Sequence, residues 1–259
     1  MHLLVTNDDG IDSVLLHELV RALGAAGHRL SVVAPAREQS WIGAAKSRHR
    51  PVASARADRG LGCPTWIVDG TPSDCVNIAL AQLLPSEAGI EAVVSGINTG
   101  RNTSIGFILA SGTIGGAWEG ALHGLPAIAL SQELTPPGFQ ALKQPASAMT
   151  PEVAATVAAT TGHAVRLTDA LLSPDHRQPF TVHSVNFPFP CRPDSPVRRT
   201  VPARISGTGM FGPADADGLH RFTYNHGQDL SPADLPTDRA ALAAGEISHT
   251  VLDYTRLGH

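Results

Sequence analysis

Two aspartates stand side by side in "LLVTNDDGID" (3–12), where an apolar run ends. Neighbouring residues of a strand point to opposite faces, so Asp8 and Asp9 can serve one site only where the strand has stopped and the chain is turning. Carboxylates this close repel each other unless a proton or a cation lies between them. A hard divalent ion such as Mg²⁺ or Mn²⁺ is the usual partner for oxygen ligands. Asn7 to Gly10 are also turn formers, since Asn, Asp and Gly tolerate left-handed backbone. This stretch alone leaves both readings open.

Other candidates fall at the ends of later apolar runs. Ser40 follows the second run in "VVAPAREQSW", and Asn98 closes the fourth in "VVSGIN"; each offers a neutral oxygen. "SGTIGG" (111–116) opens a helix with small residues, where main-chain N–H groups and the positive helix end can cradle a phosphate. The hydroxyls of Ser111 and Thr113 add donors there. The alternative is a capped helix whose glycines permit close packing. The stretch is neither a serine-hydrolase elbow nor a P-loop with its Lys. The histidines form no zinc-type pair on a helix. His17 and His28 read as surface residues of the first helix, while His220 and His226 are candidates for a general acid in the C-terminal region.

These residues need a scaffold that gathers strand ends. "HLLVT" (2–6), "LSVVAP" (30–35), "TWIVDG" (65–70), "EAVVSGIN" (91–98) and "PAIALS" (126–131) are short apolar runs ending in turn residues, as buried strands do. Between them, Leu15, Leu16, Leu19, Val20 and Leu23 repeat at helical spacing. Thr71, Pro72 and Asp74 open a second helix with a capping box, and 111–124 reads as a third. Strands alternating with helices predict an α/β fold, a mostly parallel sheet with helices on both faces. Ligands of such sheets collect outside the carboxyl ends of the strands. Beyond that, 151–173 reads as one long helix and 180–188 as a strand stopped by Pro. The 190–236 region, rich in Pro, Gly, Asp and Arg, predicts an extended arm or hairpin, and 237–254 a short helix and a final strand. The chain divides into a core (1–189) and a C-terminal extension (190–259).

Composition narrows the function classes. The 259 residues carry a net charge of −4, so no global field draws a nucleic-acid duplex or an anionic membrane. No segment reaches about 18 consecutive apolar residues, and the N-terminus lacks the form of a secretion signal. Cys63, Cys75 and Cys191 have neither disulfide nor zinc spacing, which fits a cytoplasmic protein.

In order, "LLVTNDDGI", "VVAPAREQS", "VDGTPSDCVNIAL", "VVSGIN" and "SGTIGGAWEG" closely resemble the SurE family of 5′/3′-nucleotidases, the stationary-phase survival proteins. The likeness is dense to about residue 133 and returns at "VNFP" and "TDRAALAAGEIS". It implies a Rossmann-like three-layer sandwich whose C-terminal extension is exchanged between subunits of a homodimer or homotetramer. It also implies a metal-dependent phosphatase acting on a small-molecule phosphate monoester, a nucleoside monophosphate, with one divalent cation (Mg or Mn) per subunit. Asp8 and Asp9 match the family's catalytic pair. The metal ligands fall on Asp8, Asp9, Ser40 and Asn98, and the phosphate-binding residues on Asn98, Ser111, Gly112 and Thr113.

The chain departs from the family pattern at three places. Trp41 stands where a Gly usually follows the metal-binding Ser. "TGRNTSIGFILA" (99–110) lacks the family's acidic pair and has Ala110 in place of an aromatic. "DSVLLHEL" replaces a Gly- and Pro-containing stretch. Trp41 and Asn102 thus become substrate-shaping candidates, and a phosphatase for a non-nucleotide ester or a non-catalytic binding homologue are the rival readings.

Overall fold

Each apolar run becomes a buried strand, and the turn residues after it send the chain into a helix. In a computed structural model describing residues 1–142, 149–173, 178–207, 209–225 and 227–257, the run at the N-terminus is β1 (His2–Thr6), buried throughout. α1 (Val14–Ala25) starts at a Ser13 cap and turns Leu15, Leu16, Leu19, Val20 and Leu23 inward. β2 (Arg29–Pro35), the edge strand β3 (Ser54–Arg56) and β4 (Thr65–Val68) follow. α2 (Pro72–Ile78) carries the capping box between Thr71 and Asp74, and a π-helical turn continues it over 79–83.

Next come β5 (Ala92–Thr99), α3 (Ser104–Ala110), α4 (Gly112–Leu122) and β6 (Ala127–Gln132). The chain goes on through α5 (Pro136–Leu142), α6 (Pro151–Leu171) and β7 (Thr181–Phe187). The C-terminal part holds β8 (Val197–Thr200), β9 (Ile205–Ser206), β10 (Gln228–Asp229), α7 (Asp238–Ala243) and β11 (Ile247–Asp253).

The main sheet has the order β3-β4-β2-β1-β5-β6-β7-β11-β8. The run from β4 to β7 is parallel, β3 pairs antiparallel with β4, and β11 antiparallel with β7. β8 and β11 therefore extend the same sheet as the N-terminal strands, while β9 and β10 form a small sheet of their own. α1 and α6 cover one face, burying Leu3, Val5, Val94 and Leu130. α2 and α4 cover the other, over Leu4, Val33, Val93 and Ala129. This is the α/β sandwich that the alternation of runs predicts.

Some details differ from the sequence expectation. His28 is not a surface residue: its side chain is 7% exposed, and its Nε2 lies 3.1 Å from Asp169 on α6. α3, α5 and β3 lie in stretches with no clear period, where seven residues or fewer give too little pattern to read. His226 lies outside the described residues. Among the described residues no helix is long and apolar enough to cross a membrane.

Candidate active site at the carboxyl edge of the sheet

β1 ends at Thr6, and the chain turns at once. The Asn7 side-chain amide donates to the Gly10 carbonyl at 2.8 Å, closing the turn around the two aspartates. Asp8 is 3% exposed, yet its carboxylate is not left bare. The Thr113 hydroxyl donates to its Oδ1 at 2.6 Å, and the Gln39 N–H donates to its carbonyl at 2.7 Å. Asp9 is half-buried and accepts the Thr99 N–H on Oδ2 at 2.7 Å. Burial first, and the Asp9 carboxylate second, push the Asp8 carboxyl well above the usual range, against the pull of its Thr113 contacts. A cation between the pair would offset both costs.

α4 delivers Thr113. Ser111 caps it, accepting the Ile114 N–H on Oγ at 3.1 Å. Gly112 sits against Asp8: a Cβ there would lie 2.9 Å from Asp8 Cβ and 3.1 Å from the Gln39 carbonyl oxygen. Only a residue without a side chain lets the positive end of α4 come this close to the carboxylate pair. The glycine thus serves close packing of the helix end on the turn. The Thr113 hydroxyl is engaged on Asp8, which makes it a link between helix and turn.

Asn102 extends that link. Its Nδ2 donates to Ser131 Oγ at 3.0 Å and approaches Thr113 Oγ1 at 3.4 Å, and its N–H donates to Asn186 Oδ1 at 2.7 Å. The substrate-shaping candidate is therefore 8% exposed and braces Thr113 from behind.

Asn98 and Ser40 stand next in sequence to the two groups that bond the pair: Thr99, whose N–H binds Asp9, and Gln39, whose N–H binds the Asp8 carbonyl. The register of β5 with β6 shifts between Ser95 and Asn98, which breaks the strand's alternation where it meets the site. A Cβ at Gly96 would come 2.4 Å from the Leu130 carbonyl oxygen, so the irregularity requires glycine. Asn98 donates to the Gly100 carbonyl at 2.7 Å. Ser40 lies one residue beyond the Gln39 N–H that binds the Asp8 carbonyl, and its hydroxyl donates to Glu38 Oε1 at 2.7 Å.

A cavity of about 380 Å³ opens beside Asp9, lined also by Asp12, Glu38, Thr99 and Phe139. Glu38 and Thr99 are site neighbours that the sequence reading passed over, although both lie within two residues of a candidate it singled out. A larger cavity, about 700 Å³ between α6 and residues 190–193, contains none of the candidate residues. His220 bonds the Gly212 carbonyl at 2.7 Å in an exposed hairpin.

The candidate ligands offer oxygens: two carboxylates, one hydroxyl and one amide. Among the described residues no three His, Cys, Asp or Glu gather in a metal-binding group. A hard divalent cation suits this set, because it neutralises the Asp8–Asp9 repulsion that burial makes costly.

The sequence has a counterpart among known families. The family described as Survival protein SurE matches residues 3–209. The chain belongs to the SurE family. It is 43% identical over 132 residues to the 5′-nucleotidase SurE of Desulforudis audaxviator (strain MP104C), covering 51% of this chain and 50% of that protein. The 5′-nucleotidase SurE of Desulfatibacillum aliphaticivorans is 46% identical over 131 residues, with the same coverage. The chain spans about half the length of the curated relatives it matches. The crystal structure of the SurE protein from Aquifex aeolicus superposes with a TM-score of 0.72 at 27% identity, covering 98% of this chain and 93% of that one. SurE membership and the α/β fold thus agree with the reading of the motifs.

Proposed function

We propose that this SurE protein is a divalent-metal-dependent phosphomonoesterase that hydrolyses nucleoside monophosphates, a 5′/3′-nucleotidase. The observation that carries the proposal is the contact between Asp8, in the turn after β1, and Thr113, at the N-terminus of α4. It joins a carboxylate pair to an anion-receptive helix end. The names of the curated relatives support the same reaction.

In this reading Asp8, Asp9, Ser40 and Asn98 hold one Mg²⁺ or Mn²⁺. The ion supplies Lewis-acid polarisation of the phosphoryl group. The chain's own residues do the rest. Ser111, Gly112 and Thr113, with Asn98, receive the non-bridging oxygens, and the α4 dipole stabilises charge that develops on them. Thr113, braced by Asn102, fixes the direction of the Asp8 carboxylate. Water is the phosphoryl acceptor: the ester P–O bond breaks, and the alcohol and inorganic phosphate leave. The reading also includes a cytoplasmic enzyme that assembles as a homodimer or homotetramer.

A second reading has a specific observation behind it. α3 (Ser104–Ala110) lies in the stretch where the family pattern has an acidic pair, which favours a phosphate ester other than a nucleotide. Phosphate release from nucleoside monophosphates, sugar phosphates and an aryl phosphate, with Mg²⁺ or Mn²⁺ and after chelation, decides between them. A preference for nucleotides supports the first reading, and a preference for another ester supports the second.

A further inference from the structure

Next to Ser40, Trp41 opens a cluster of aromatic side chains. The Trp41 ring centre lies 5.2 Å from that of Phe107 on α3 and 5.2 Å from that of Phe222, both tilted. Tyr224 is 5.9 Å from Phe107, and Phe211 meets Phe222 edge-on at 5.8 Å. Phe211 and Phe222 face each other across a hairpin of the C-terminal region. Trp41, Phe222 and Tyr224 nevertheless remain 44%, 49% and 48% exposed.

Two features make this more than scattered surface hydrophobicity. The rings form one contiguous patch, and such patches on soluble proteins mark binding surfaces. The patch is also anchored to the site. The Gly43 N–H donates to the Ala110 carbonyl at 2.8 Å, tying the loop that carries Ser40 and Trp41 to the end of α3, one residue before Ser111. Trp41 itself takes a left-handed backbone (φ 64°), unusual for a bulky residue and suited to presenting the ring at the rim. A ring already held by two neighbours loses little freedom when a ligand stacks on it.

We propose that Trp41, held by Phe107 and Phe222, is a specificity-determining residue that selects phosphate monoesters whose alcohol part carries a flat aromatic ring, over esters of aliphatic alcohols. The inference rests on the phosphate subsite assigned above, from which the alcohol part must project. A nucleobase and a simple aryl group share the chemistry, and the probes separate them.

The test has two arms. In a Trp66→Phe, Trp118→Phe background, Trp41 emission is titrated with AMP, phenyl phosphate and glycerol 2-phosphate in the presence of Mg²⁺. Saturable quenching by AMP and phenyl phosphate but not by glycerol 2-phosphate is expected, and quenching by AMP alone narrows the class to nucleotides. In parallel, the ratio of kcat/KM for AMP to that for glycerol 2-phosphate is expected to fall roughly tenfold in Trp41→Gly and to return in Trp41→Phe. Absence of ring-dependent quenching overturns the inference. So does an unchanged ratio in Trp41→Gly, including the case where only self-association changes and the patch is a contact between copies. Quenching without turnover supports ring selection and sinks the phosphatase reading; turnover with an unchanged ratio does the reverse.

Discussion

The Thr113 hydroxyl donates to Asp8 Oδ1 over 2.6 Å, joining residues 105 positions apart. The bond reaches a buried carboxylate that already sits beside a second one, so it sets where that carboxylate points. Hydrogen bonds to charged groups are worth about 1.5–3 kcal/mol. Thr113→Val should therefore lower kcat/KM for a phosphate monoester by roughly ten- to a hundredfold. Thr113→Ser, which keeps the hydroxyl, should retain most activity. Steady-state kinetics on the two variants checks this, and equal losses would contradict it.

Gly112 and Gly106 make a matched pair. A Cβ at 112 would meet Asp8 Cβ at 2.9 Å, whereas one at 106 has nothing within 4 Å. Gly112→Ala should displace the turn or the helix end and cut activity at least about tenfold, since angstrom-scale misplacement costs that much or more. Gly106→Ala, on the exposed side of α3, should leave activity intact and raise stability by up to about 1 kcal/mol. Kinetics and urea midpoints of both variants test the contrast.

Asp238 ties the C-terminal region to the segment behind the site. Its carboxylate accepts N–H groups from Ser104 at 2.7 Å, Ala203 at 3.0 Å and Arg239 at 2.8 Å, and it is 1% exposed. Asp238→Asn replaces one acceptor oxygen by a donor facing an N–H. The expected cost is about 2 kcal/mol or more, read as a lower urea midpoint with an unchanged slope. A midpoint within error of wild type would show that the anchor does not matter.

Stability should fall in mild acid because of His249. Burial, then His183 and Arg199, push its imidazole from 6.5 down to about 4, and it shares a 3.1 Å contact with His183 across β7 and β11. As pH drops below 6.5 the unfolded chain takes up a proton that the folded chain refuses. The stability present above pH 6.5 is therefore lost progressively toward pH 4, by at most about 3 kcal/mol. Thermal midpoints between pH 7 and 4 should decline less steeply in His249→Gln. An identical slope would assign the decline to other groups.

Much of the fold, and the placing of the candidate residues at one sheet edge, was legible in the sequence, for identifiable reasons. Turn residues after short apolar runs placed Asp8, Asp9 and Asn98 at one sheet edge, because parallel strands align their carboxyl ends. The Thr71–Asp74 capping box and the Ser111 cap are local devices with local signatures, and both are present. What could not be read depends on contacts between distant segments. Nothing near Thr113 announces that its hydroxyl belongs to Asp8, nor near Asn102 that it braces Thr113. Gly96 required its neighbour Leu130 before its role was visible. α3 escaped because its Ile105 and Leu109 are exposed, which scrambles the helical stripe that burial normally writes.

In the proposed function, the Asp8–Asp9 turn and the α4 N-terminus form a metal-dependent phosphatase centre. Its most direct test is inorganic phosphate release from nucleoside monophosphates and from phenyl phosphate, with Mg²⁺ or Mn²⁺, after chelation, and in Asp8→Asn. Release should disappear with the chelator, return with added metal, and be absent in Asp8→Asn while the variant's circular dichroism spectrum stays that of the wild type. No metal-dependent release from any monoester by the wild-type protein, or undiminished release by a folded Asp8→Asn, would contradict it.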